Sequence, residues 1–212
     1  MYYWDELVGR YRDKGGRFVG RDTVYAYVNQ SLNISSNVSQ ALSSWVYDGN
    51  ISVNDWKLAM RSEIKDEYIR QYLSFAGGRY NMTQADWGSI GGMLKEQYKY
   101  LDGFANDIAS GDMTEAQIAA RAQMYINSAR EARERAREKS ALKADYDEVY
   151  WEVNGALENC GGCIEFNQMS WQLIEDNPYK EAYPGSGDTV CLTNCGCQLV
   201  YKNSKTDKEY DY

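Results

Sequence analysis

Histidine is missing from all 212 residues of the chain. Its absence excludes Ser-His and Cys-His nucleophile pairs, imidazole metal ligands and nucleases that use a histidine base. Proline is nearly missing, with Pro178 and Pro184 the only two. Both come late, so everything before them can be helical without a proline break. Long apolar runs are absent as well. Nothing approaches the roughly 20 apolar residues of a membrane span, so a soluble protein without membrane contact is expected. No carboxylate, lysine or tyrosine motif of a catalytic kind stands out, and among 31 acidic residues pairs arise by chance. No catalytic residue and no small-molecule substrate is assigned, and the expectation is a protein that is not an enzyme.

Cysteine is absent from most of the chain and concentrated in one part of it. All five cysteines fall between Cys160 and Cys197, as Cys160-Gly161-Gly162-Cys163 and Cys191-Leu192-Thr193-Asn194-Cys195-Gly196-Cys197. Cys-x2-Cys puts two thiolates on one tight turn, with glycines letting the backbone fold around an ion. A second cluster about thirty residues on then closes a tetrahedron, the pattern of structural zinc. Cys160 and Cys163 supply two ligands, and two of Cys191, Cys195 and Cys197 complete the shell. Four thiolates leave no open position, so such a zinc is structural. Disulfides and buried free thiols are the competing readings. Disulfides fit poorly with an odd count, no apolar signal segment and a chain too long to need stapling.

The net charge of -8 is unevenly placed. Residues 145–201 hold ten acids against Lys180 alone, a balance of -9, whereas residues 21–144 carry 15 basic and 15 acidic residues. An acidic cysteine module matches phosphate poorly, which argues against a DNA-reading zinc finger.

Along the chain, residues 1–20 are rich in aromatics and glycine with little periodicity. They are expected to form a flexible arm, either ordering on a partner through Tyr2, Tyr3, Trp4 and Phe18 or fraying as a terminus. A helical region over 21–144 follows. Ser52, Thr83 and Thr114 lie 31 residues apart, each preceded by an apolar residue and followed three positions later by Asp or Gln. These are capping boxes with hydrophobic staples. They predict helices over 22–47, 53–76, 84–108 and 115–143, with Gly88, Gly91 and Gly92 breaking the third or marking a close crossing. Shared caps without shared interiors favour unrelated helices over a true repeat.

The fourth helix turns basic, with seven basic and three acidic residues from Arg121 to Lys143. A solvated, salt-bridged face is the plain reading. Contact with DNA or an acidic surface through Arg130, Arg133 and Arg137 is the sharper one, and the -9 module is a candidate internal partner. Alternation from Tyr146 to Asn154 predicts a strand with Val149, Trp151 and Val153 on its apolar face. A returning strand is expected at 198–201, and residues 202–212 are expected to be a loose polar tail. The fold class is thus α+β: a mainly helical N-terminal region followed by a small zinc-stabilised β module over 145–201.

Trp151, Cys160, Cys163, Pro184, Gly185, Cys195, Cys197 and Leu199 together make a pattern. It resembles the phage Mu F-like head morphogenesis family, most sharply over 145–201. The helical region and the Gly16-Arg17-Phe18-Val19 opening are also similar to tailed-phage minor capsid proteins. The family usually has His three residues before its Cys-x-Cys, where this chain has Cys191 four residues before Cys195. The residue between the last two cysteines is often Arg there and is Gly196 here. The resemblance implies that Cys191 replaces the histidine. It also implies a minor structural protein inside the phage head, made in the host cytoplasm, bound to portal or major capsid protein and needed for assembly or DNA delivery. Any DNA contact would be weak and secondary. A cellular zinc-ribbon adaptor that recruits a protein partner is the alternative from another class.

Overall fold

In the computed structural model, residues 2–5, 8, 10–155, 159–180 and 182–209 are described. Helices dominate, and α2 (Val53–Phe75) is their hub. It packs against α1 (Arg21–Tyr47), α3 (Gln84–Ser110), α4 (Glu115–Asn127) and α5 (Ala129–Lys143). On α2 the buried Trp56, Met60, Ile64, Tyr68, Tyr72 and Phe75 recur every three or four residues and form one broad apolar face. The helix also buries Glu67. That carboxylate accepts from Ser31 Oγ at 2.7 Å, Ser35 Oγ at 3.1 Å and Gln71 Nε2 at 2.7 Å, and pairs with Arg70. Buried charge needs such partners. The serines come from α1, whose buried Ser31, Ser35, Ser39 and Ser43 recur every four residues. They form a small-residue face on which neighbouring helices can lie close.

Three helices start where the caps require. The side chains of Ser52, Thr83 and Thr114 accept from the amides of Asp55, Asp86 and Gln117, and the last two close full capping boxes. Two other expectations fail. α3 runs unbroken through Gly88, Gly91 and Gly92, and an added Cβ at any of them would meet nothing within 4 Å. They are neither a break nor a close crossing. Burial of Ile90, Met93 and Leu94 on the core outweighs the weak helix preference of glycine. The fourth helix, by contrast, is two. It divides at Ser128, whose hydroxyl donates to the Tyr125 carbonyl at 2.8 Å and accepts from Tyr68 at 2.9 Å. A hydroxyl bonded to a carbonyl one turn back competes with the helix's own ladder.

The expected arm is instead a small antiparallel sheet. β1 (Tyr3–Asp5), β2 (Arg10–Arg12) and β3 (Phe18–Val19) pair in sequence order. Tyr11 is buried in the helical core, and Tyr2 stands edge-on to Tyr27 of α1, centroids 5.5 Å apart. Tyr3 lies against Gly78, where φ is +88° and a Cβ would collide with it. Nothing in the local periodicity marks this docking, which depends on residues far along the chain.

The second sheet has the order β5-β4-β6-β7. β4 (Glu148–Glu152) pairs antiparallel with β6 (Gln198–Asn203), Trp151 facing Leu199 in the register. β5 (Gln172–Leu173) and β7 (Lys208–Glu209) flank them. The tail expected to be loose from 202 therefore carries the end of β6 and a hairpin to β7. Lys202 joins Glu148 and Asp207, each at 3.3 Å, and lies over the Trp171 ring. The apolar core falls into two clusters. One spans the helices through Ala136, and the other joins Ala141 to the second sheet and the cysteines.

Candidate metal centre

β4 delivers the chain to a turn at Asn154-Gly155, where Gly155 has φ +67°. Cys160 then occupies the N-cap of α6 (Gly161–Asn167), and Cys163 lies in its first turn, buried. The first cysteine pair thus opens a short helix rather than sitting on a glycine turn. Cys191 precedes a 3-10 turn at Leu192–Asn194, and Cys195 and Cys197 follow in extended backbone entering β6. Two glycines fix this loop. A Cβ at Gly196 would run into the Asn154 amide, and one at Gly185, φ +86°, would stand 2.8 Å from Arg130 Cβ. Trp151, Phe166 and Tyr179 wall the site, with ring centroids 4.9 to 5.5 Å apart.

The five sulfurs fall into two sets, Cys160–Cys163–Cys191 and Cys163–Cys195–Cys197, each with all sulfurs within 4.8 Å of one another. Cys163 belongs to both. Its sulfur is 3.7 Å from that of Cys191 and 3.6 Å from that of Cys195. A tetrahedral zinc with Zn–S of about 2.3 Å spaces its sulfurs about 3.8 Å apart, whereas a disulfide holds them at about 2.05 Å. All five thiols are free. The spacing suits a thiophilic metal ion, and any ligand set built from it includes Cys163.

Protonation is already divided among the thiols. Burial pushes Cys160 up, but the Cys163 amide and thiol outweigh it and bring the group down to about 7. The Cys195 thiol, against the opposing effect of burial, draws Cys197 down to about 6, helped by Cys163 and the Asn154 amide. Cys163, chiefly by burial, and Cys195, chiefly through its bond to Cys197, are pushed above the ordinary thiol range. Cys160 and Cys197 are thus favoured as thiolates by their neighbours, whose protons a cation would displace.

The arginines expected to meet solvent, DNA or an acidic surface lie inward. Arg133 and Arg137 are buried and pair with Glu134, itself fully buried, at 2.9 and 2.7 Å. Glu134 also accepts the Leu199 amide of β6 at 3.2 Å. Arg130 donates to the carbonyls of Thr193 and Cys195 at 3.4 and 3.3 Å. This face of α5 is the seat of the cysteine module, so a duplex backbone has no access to Arg133 or Arg137. Sequence periodicity could not show this, because the covering residues come 63 to 65 positions later. Glu138 marks the same contact, accepting from Asn177 and, at 2.9 Å, from Tyr183.

Of the aromatic residues singled out near the start, Tyr2 packs on the helices. Phe18 is exposed beneath the guanidiniums of Arg10 and Arg12, 4.5 and 4.0 Å from its centroid. Trp4 is in β1, and its side chain lies outside the described residues. The fold and site define a helix-rich α+β protein whose C-terminal sheet carries a cysteine cluster able to hold a metal ion. No helix among the described residues is long and apolar enough to cross a membrane. No family model, no curated protein and no solved structure matches the chain.

Proposed function

We propose that this chain is a structural protein of tailed-phage heads, a minor head protein bound to portal or capsid inside the virion. In this reading its cysteine module is stapled by one structural zinc. The observation that carries the reading is the gathering of the family-like residues at one place. Trp151 and Leu199 face each other across β4 and β6, and Cys160, Cys163, Cys195 and Cys197 converge beside them. Gly185 presses the same loop onto α5. Zinc suits the donor set best, since it accepts four thiolates without redox chemistry and is held tetrahedrally. The role of the metal is then to hold the module's fold, with no open coordination position for a substrate.

The test has two parts. Protein purified without chelator should contain about one equivalent of zinc. The chain should also be found in purified capsids of the phage that encodes it, beside portal or terminase genes. Recovery from uninfected cells with a cellular protein, and absence from capsids, would replace the phage reading with that of a zinc-ribbon adaptor.

A further inference from the structure

Not every arginine on the inward face of α5 has a carboxylate partner among the described residues. Three of its guanidiniums, Arg130, Arg133 and Arg137, point into the protein, and Glu134 is the carboxylate that pairs with two of them. Arg130 bonds only backbone carbonyls among the described residues. Arg133 uses Nε on Glu134, which leaves its two terminal nitrogens without a partner among the described residues. Buried charge of one sign without compensation is costly, and proteins normally pair it.

Beside these groups is a cavity of about 360 Å³, between α1, α5 and the loop entering β6. Arg130 and Arg133 line it, together with Tyr25, Asn29, Asn33 and Cys195, and no carboxylate does. Asn29 and Asn33, one helical turn apart on α1, are exposed and form the mouth.

We propose that this cavity binds a small tetrahedral oxyanion, a phosphate free or as the monoester of a small molecule. Two guanidiniums offer forked N–H donors that match phosphate oxygens. The amides of Asn29 and Asn33 add neutral donors. The recess suits a compact anion and excludes a duplex, whose phosphates stay on its surface. The inference is independent of the phage reading.

Calorimetric titration of the metal-loaded protein with inorganic phosphate should show one site per chain. Phenyl phosphate should bind as well if a monoester is the ligand, and fail if free phosphate is. Arg133→Gln should weaken binding by about tenfold or more, the loss expected for a charge-assisted contact. Because Arg133→Gln could disturb folding, the double variant Asn29→Leu/Asn33→Leu at the exposed mouth provides a second reading. It should weaken phosphate binding with an unchanged melting temperature. Arg130 also lies beside Cys195, so a metal–thiolate centre could supply the missing negative charge instead. Phosphate binding confined to metal-free protein would show that it does, and would overturn the proposal. No phosphate binding, wild-type affinity in both variants, or preference for a short duplex over phosphate would overturn it too.

Discussion

Replacing Glu134 by glutamine keeps the side chain's shape and its acceptor for the Leu199 amide while removing the charge. In the wild type that carboxylate is fully buried between Arg133 and Arg137. Its loss removes the negative charge that both buried guanidiniums share, and breaking such a buried pair costs about 3 to 5 kcal/mol. Glu134→Ala also orphans the Leu199 amide, adding about 1 to 3 kcal/mol for an unsatisfied buried donor. Against a total stability of about 5 to 15 kcal/mol, either change is severe. For a chain of this size the smaller change should lower the melting temperature by roughly 6 to 20 °C. Urea unfolding followed by tryptophan fluorescence measures it, since Trp56 reports the helical core and Trp151 the module. Asp107→Asn is the control, because its pair with Arg121 is half-exposed and worth about 0 to 1 kcal/mol. If Glu134→Gln stays within about 1 kcal/mol of wild type, or equals the control, the charge is not what joins α5 to the sheet.

Three other outcomes are expected. Cys163→Ser removes the thiol common to both sulfur sets, so bound metal should be lost and residues 145–201 should be cleaved by protease before the helices; equal loss of both regions would mean one cooperative unit. Asp86 should make stability pH-dependent: burial would raise its pKa, but Lys139, Thr83 and Tyr72 outweigh this and hold the carboxyl well below the usual carboxylate range. That stabilisation is fully present above the unfolded value of about 3.9 and is lost as pH falls below it. Asp86→Asn should therefore flatten the acid side of the melting curve, and parallel curves for variant and wild type would refute the assignment. Tyr11→Ala should cost about 3 to 5 kcal/mol, as for other buried aromatics; a change near zero in the same urea assay would return residues 2–19 to the status of a dispensable arm.

What could be read from the sequence was local, and what could not was set by distant residues. A cap needs its own side chain and an amide three positions on, so Ser52, Thr83 and Thr114 declared their helices. Alternation placed Val149 and Trp151 on the buried face of β4. Cysteine spacing brought five residues to one candidate centre, but not the choice among them, because that depends on which sulfurs meet at Cys163. The N-terminal sheet was hidden for the same reason: Tyr11 is buried only because the helical core supplies the surface.

The basic run of α5 shows the limit most clearly. Arg137 stands three residues from Glu134 and Arg135 four from Glu131, a pattern that on an isolated helix means a solvated face. The pattern is identical when the face is buried, because pairing makes charge tolerable in either setting. What differs is the environment: Glu134 also accepts the Leu199 amide, and Arg130 also reaches the Cys195 carbonyl. A charged helix that precedes an acidic, cysteine-rich module can be the module's foundation, and the sign of that is a carboxylate serving both its own helix and the sheet above it.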